Sequence, residues 1–338
     1  MQAAVFHAAD RPLVIEEVPE PVPGPRDLVV EVKCCGICGT DLHAASLPGG
    51  LPPGSVMGHE FAGEVVEVGS EADGNFAAGD RVTAIPAIGC GHCRDCLAGD
   101  VMRCSEVEIT GLGQVPGAYA QYVRVGSNEA LRLPEGVDFR LGALVEPLAV
   151  GLHAVKAAGL APGQEVLVLG AGPIGLAVTL WARFFGARSI LVSEPAEGRR
   201  AMASALGASE VLAGAEAAAP ALAERPGGGV DVIFECVGVP GLLAESVNLA
   251  AARSKVVVAG VCAQPDSFVP ALAVIKELQF QFVLGYHKSD FGLTLDMLAS
   301  GRIDPWPMVT DRVGLADLPG AFEALKNPAD QCKVLVEL

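Results

Sequence analysis

The sequence predicts an α/β protein, with a doubly wound parallel sheet preceded by a β-rich region. Three observations carry this. From about residue 165 to about 284, near-continuous apolar runs alternate with helix candidates, as strands buried on both faces require. A Gly-x-Gly-x-x-Gly segment follows the first of those runs and opens a long apolar helix. Before about residue 148, short β-branched segments are separated by Gly, Pro and Asp.

Along the chain, LVIEEV, DLVVEVKC, FAGEVVEVG, DRVTAI and AQYVRV read as strands of the first region. EVLVLG, SILVSE, DVIFECVG, KVVVAGV and LQFQFVLG supply the parallel sheet. PIGLAVTLWARFFGA, AEGRRAMASALGA and GLLAESVNLAAA are the helices between them. The Ala-rich stretch 213–223 reads as a tolerant surface helix. The tail from about 285 alternates polar helix and strand and ends in CKVLVEL.

The chain has 338 residues, enough for two domains, and is 51% apolar and 19% charged. Such a chain buries a sizeable core, which excludes wholesale disorder. It carries 40 acidic and 23 basic residues, a net charge of −17, which argues against nucleic acid or an anionic membrane as partner. No apolar run is long enough to span a bilayer, and the start lacks a basic and apolar leader, so a cytoplasmic protein is expected. Three of the ten cysteines fall within Cys34–Cys38 and four within Cys90–Cys104, which suggests metal ligands before disulfides.

Gly170, Gly172 and Gly175 frame the glycine-rich turn, with Pro173 and Ile174 opening the helix. Gly170 allows a tight turn, Gly172 lets backbone approach a pyrophosphate, and Gly175 lets the helix pack close to the strand. Glu194 ends the next strand, where an acid bonds a ribose hydroxyl. An ordinary glycine-rich turn in an α/β domain is the plainer reading of the same residues.

Cys90, Cys93, Cys96 and Cys104 form a compact four-thiolate set in a Gly-rich, polar segment. Four thiolates close a tetrahedral structural zinc site, so His92 reads as an exposed loop residue. Cys38 in GICGTDLH, His59 and Glu60 in GHE, and Glu146 in VEPL are further candidates. Singly they read as a buried thiol, a core histidine and a capping carboxylate, and spacing alone does not join them. Asp41 reads as the residue that caps or orients its turn.

Taken together, GICGTDLH, GHEFAGEVVEVG, GDRV, the four-cysteine lobe, VEPLAVGLHAV, GAGPIG and KVLV span nearly the full length. In content and order they resemble the zinc-containing medium-chain dehydrogenases/reductases, the family of zinc alcohol, sorbitol, threonine and butanediol dehydrogenases. The resemblance implies two zinc ions per chain. The catalytic one would sit on Cys38 and His59, with Glu146 as third ligand and Glu60 ligating directly or in exchange with water. The division between Glu60 and Glu146 stays open. The structural zinc would sit on the four-cysteine lobe.

The implied reaction passes a hydride between NAD (NADP being possible) and a secondary alcohol, diol or polyol. Zinc would lower the alcohol pKa and stabilise the alkoxide, while Thr40 passes the proton through the cofactor ribose to His43. Cofactor contacts are implied at the glycine-rich turn, Glu194, Arg199, Val237 and Val261, with Lys333 near the pyrophosphate. An NADPH-dependent ketone reductase is the enzymatic alternative, and a non-catalytic dinucleotide-binding relative the other. The intact set of Cys38, His59, Glu146, Thr40 and His43 argues against the latter.

In architecture, the resemblance implies a Rossmann domain over 148–285 and a discontinuous GroES-like β-rich catalytic domain over 1–147 and 286–338. The zinc lobe, 90–104, would project from the first segment, and the active site would lie in the cleft between the domains. The stretches Ala44–Pro53 and Gly111–Tyr119 are expected to line the substrate pocket. LQFQFVLG reads either as the last core strand or as an edge that pairs with a second subunit, giving a homodimer or homotetramer. Cys34 and Cys35 are expected to pack in the strand before the site. Cys236, Cys262 and Cys332 read as small core residues.

Overall fold

Asp27–Gly36, rich in β-branched residues, is the strand around which the first half of the protein is organised. Glu60–Val68 pairs with it on one side, and Tyr122–Gly126 and Lys333–Glu337 share the other, all antiparallel. Ala130–Arg132, Arg81–Ala84 and Val309–Gly314 complete a seven-stranded sheet. Val14–Glu17, Gln2–Phe6 and Ser55–Val56 form a smaller one. Leu28, Val30, Val32, Phe61, Val123 and Val336 point into the shared core.

The computed structural model describes every residue except Asp10, Pro48, Pro226, Gly227 and Ala329. The chain divides into two units. Met1–Glu146, Tyr286–Arg302 and Val309–Leu338 make the first, and Pro147–Gly285 with Ile303–Met308 make the second. The chain thus leaves the first unit after Glu146 and re-enters it at Tyr286.

In the second unit six strands run parallel, in the spatial order Glu210–Leu212, Ser189–Ser193, Glu165–Leu169, Val232–Glu235, Lys255–Val258, Gln279–Phe282. The first strand in sequence lies beside both the second and the fourth, so the order reverses there. In open α/β sheets such a switch point is where ligands sit, outside the carboxyl ends of the strands. The helix Pro173–Phe184 packs on this sheet through Gly175–Ala182, all of them buried.

Two expectations change. Gln279–Phe282 is half-buried at most, because an edge strand has one neighbour and its glutamines alternate with phenylalanines. The Ala-rich helix, Ala215–Ala223, is not merely superficial: Ala218 and Leu222 pack in the core with Val230 and Leu249. Among the described residues, no helix is long and apolar enough to cross a membrane.

Candidate metal centre and dinucleotide turn

Strand register brings the mixed donor set together. Gly36 pairs with Glu60 on one side and with Leu335 on the other. Cys38 follows Gly36 by one short step and caps the helix Gly39–Ser46, while His59 directly precedes Glu60. Cys38 Sγ, a ring nitrogen of His59 and a carboxylate oxygen of Glu60 all lie within 4.8 Å of one another. Gly36 must be small here, since a Cβ would sit 2.1 Å from Glu60 Oε2. Gly58, at φ +93°, turns the chain into His59, and a Cβ there would strike the Tyr119 ring at 2.5 Å.

Each donor has a buried partner. His59 Nδ1 meets Asp41 Oδ1 at 3.1 Å. The other oxygen of Asp41 accepts the Tyr119 hydroxyl at 2.7 Å and the Cys38 N–H at 3.3 Å. A carboxylate that orients the far nitrogen of a ligating histidine fixes its tautomer and raises its basicity. Burial works against a charge on His59, but Asp41 and Cys38 outweigh it and hold the imidazole well above its ordinary value. Burial likewise opposes the Asp41 charge, which His59, the Tyr119 hydroxyl and the Cys38 N–H hold below its usual range.

Lys333 meets the same donor set. Its side chain is fully buried, with Nζ 2.6 Å from each oxygen of Glu60 and 3.0 Å from the Ile37 carbonyl. It opens the strand paired beside Gly36, so its ammonium is buried against the Glu60 carboxylate. Burial opposes its charge, and Glu60 more than restores it, leaving the pKa above the ordinary lysine value.

Glu146 stands in the first turn of the helix Val145–Ala158. Its Oε1 accepts the Tyr286 hydroxyl at 2.8 Å, and both side chains are buried. Burial pushes its carboxyl up to about 7, with His59 pulling the other way and Glu60 adding to the rise. The donors that lie together are Cys38, His59 and Glu60, and Glu146 is not among those within 4.8 Å of one another. Thiolate, imidazole and carboxylate together suit zinc.

Cys90, Cys93, Cys96 and Cys104 place their sulfurs within 4.8 Å of one another. Backbone N–H groups point at them: Cys96 N donates to Cys93 Sγ at 3.4 Å, Cys90 N to Cys104 Sγ at 3.5 Å and Glu106 N to Cys104 Sγ at 3.4 Å. Backbone N–H bonds from His92 and Cys93 lower the Cys90 thiol to about 6, the thiolate form a metal takes. Burial pushes Cys96 up to about 12, a cost that bound metal would offset. His92 is exposed, as expected, and its ring lies 2.9 Å from the Cys90 carbonyl.

At the dinucleotide turn the three glycines differ in kind. Gly170 has φ +92°. A Cβ on Gly175 would lie 1.9 Å from the Gly170 carbonyl, which is the close helix packing that glycine permits. A Cβ on Gly172 would meet nothing within 4 Å, so the N-terminus of the helix faces open space there. Pro173 is the first helical residue, and Pro173 and Ile174 are both half-buried. Glu194 is buried; its Oε2 accepts Ala171 N at 2.8 Å and its Oε1 accepts Ala196 N at 3.0 Å, so it ties the two loops together. Arg200 donates to the Glu194 carbonyl at 2.9 Å and to that of Pro195. Val237 and Val261 are exposed beyond the ends of their strands.

Thr40 and His43 are both exposed and three residues apart on one helix, hence on one face. Of the expected pocket stretches, Gly111–Tyr119 ends in core: Ala118 and Tyr119 are fully buried. Leu51 of the other stretch is also buried, and Pro48 lies outside the described residues. Cys34, Cys35 and Cys332 are buried, whereas Cys236 and Cys262 are half-exposed beyond strand ends. The sequence reading missed Tyr119 and Tyr286 as site residues. Their rarity was the one available hint, since two of the chain's three tyrosines meet site carboxylates.

Residues 24–135 match the alcohol dehydrogenase GroES-like domain, and residues 173–300 match the zinc-binding dehydrogenase domain. L-idonate 5-dehydrogenase of Vitis vinifera is 35% identical, over 93% of this chain and 89% of its own. (R,R)-butanediol dehydrogenase of Bacillus subtilis is 34% identical over 99% of each. Among solved structures, a putative zinc-binding dehydrogenase from Sinorhizobium meliloti, bound to NADP, superposes with a TM-score of 0.88 at 33% identity, covering 100% of this chain and 99% of the other. A short chain alcohol dehydrogenase from E. coli CFT073, complexed with NADH, does so with 0.89 at 25% identity and the same coverage.

Proposed function

The chain belongs to the zinc-binding medium-chain alcohol dehydrogenase family, and from that premise we propose that it oxidises a secondary alcohol, diol or polyol with NAD. The observation that carries this reading is the mixed donor set of Cys38, His59 and Glu60, with Glu146 buried and fixed beside it. These residues would hold a catalytic zinc, and Cys90, Cys93, Cys96 and Cys104 a structural one, two ions per chain. When bound, zinc supplies a Lewis acid that makes the alcohol easier to deprotonate, and the dinucleotide supplies a hydride acceptor.

The chain's own residues do the rest. Thr40 takes the substrate hydroxyl proton as it gives its own to the cofactor ribose hydroxyls, which pass a proton on to His43, an exposed imidazole that can release it to solvent. Asp41 holds the His59 ring in one orientation. Gly170, Gly172 and Gly175 present the helix N-terminus to a pyrophosphate, with Pro173, Ile174, Val237 and Val261 along the cofactor and Arg199 near its adenosine end. Thr40→Val tests the relay: turnover should fall about 100-fold with cofactor binding unchanged.

NAD is preferred because a 2′-phosphate would meet the Glu194 carboxylate at close range. Arg199 and Arg200 would offset this, and Arg200 is engaged with backbone carbonyls instead. The relative bound to NADP supports the alternative, a ketone reductase using NADPH. Relatives named for idonate and butanediol point to vicinal or polyhydroxy substrates. A panel of diols, polyols and hydroxy acids, read by cofactor absorbance with NAD and NADP in parallel, tests the whole reading. Oxidation of at least one member is expected, and silence across the panel from zinc-loaded protein would contradict it.

A second copy is the partner we assign to the edge strand Gln279–Phe282, giving a homodimer or homotetramer. Phe282, Val274 and Ile275 are 62%, 74% and 77% exposed around it, and an unpaired edge recruits another strand. Two cysteine clusters placed for metal rather than for disulfides suit the reducing cytoplasm.

A further inference from the structure

The geometry points to Tyr286 as a positioning residue for the reaction: its hydroxyl fixes one oxygen of Glu146 and leaves the other to serve the metal site. This rests on the reading of Glu146 as part of that site. Tyr286 is 4% exposed and Glu146 8%, so neither depends on water to settle its conformation. The Tyr286 hydroxyl donates to Glu146 Oε1 at 2.8 Å, and no hydrogen bond is made to Oε2 among the described residues.

The two residues are 140 apart in sequence, and they are the points at which the chain leaves and re-enters the first unit. Glu146 is the last residue of the outgoing segment and stands in a first helical turn. Tyr286 itself is fixed by an edge-on contact with buried Phe291, ring centroids 4.8 Å apart. Packing therefore sets the tyrosine, the tyrosine sets one carboxylate oxygen, and the planar carboxylate sets the other. Outer partners of this kind commonly change metal affinity or activity by about 10–100-fold when removed.

Tyr286→Phe removes one oxygen and keeps the ring. On zinc-loaded protein, kcat should fall about tenfold, the Kd for NADH should stay within about twofold, and the faster-released zinc should leave to a chromogenic chelator at least about fivefold sooner. Glu146→Gln should reproduce both losses, and the double variant should be no worse than Glu146→Gln alone. Phe291→Leu loosens the contact that holds Tyr286 and should give a smaller loss in the same two readouts, no larger than that of Tyr286→Phe.

The proposal is overturned if Tyr286→Phe leaves kcat and metal release unchanged while Glu146→Gln impairs both. It is also overturned if the two losses multiply in the double variant, or if Tyr286→Phe fails to fold, since either assigns the hydroxyl another role. A Glu146→Gln variant with wild-type turnover and metal release removes Glu146 from the site. In that case the reading beneath fails together with the proposal.

Discussion

The four-cysteine lobe and the mixed donor site differ in how far the chain must travel to build them. Cys90, Cys93, Cys96 and Cys104 lie in one short segment, and the N–H groups aimed at their sulfurs come from that same segment. In the mixed site, Cys38 and His59 sit on neighbouring strand ends, but Lys333 reaches Glu60 across 273 residues and Tyr286 reaches Glu146 across 140. A local site is specified by composition and spacing. A non-local one depends on sheet register, so an error anywhere in the Asp27–Gly36 pairing would dismantle it.

The contrast gives distinct failures. Cys96→Ser should have the largest effect: the polar, Gly-rich lobe loses its staple, and soluble yield and Tm should both collapse. Wild-type stability in that variant would break the comparison. Lys333→Met comes next. It leaves Glu60 buried without a counter-charge, at a cost of about 3–5 kcal/mol in chemical unfolding. Stability within about 1 kcal/mol of wild type would mean that Glu60 takes up a proton or another partner.

The difference between the regions is also why only part of the protein was legible. The parallel sheet, its glycine-rich turn and the cysteine lobe are patterns within short windows, and the structure has all three. The mixed site was assembled only by resemblance, because no spacing rule links Cys38, His59 and Glu146. The pairing of Lys333 with Glu60 went unread for the same reason. That the lysine faces Glu60 follows from Leu335 pairing with Gly36, a register no local pattern encodes. Tyr119 sat in a segment read as pocket lining, yet Gly58 and Gly117 let backbone approach closely there and the tyrosine is core.

Smaller effects sharpen the account within the mixed site. Tyr119→Phe removes the donor to Asp41 Oδ2 and should cost about 1.5–3 kcal/mol, the range for a hydrogen bond to a charged group. Metal release should quicken in step, because Asp41 then holds His59 less firmly. An unchanged release rate would confine Tyr119 to packing. Smallest is Glu194→Ala. Wild type should prefer NAD over NADP by about tenfold in kcat/KM, about 1.4 kcal/mol, and the substitution should shrink or reverse that ratio. A wild-type preference for NADP would instead favour the reductase reading.

The most direct test of two metal sites of different kind is zinc counted per chain, followed by its release. Protein purified without chelators should contain two equivalents by elemental analysis. Under a chelator one should leave first, abolishing turnover while circular dichroism is unchanged, and the other only as the fold is lost. One equivalent or none, or a single release phase in which activity and structure vanish together, would contradict the account.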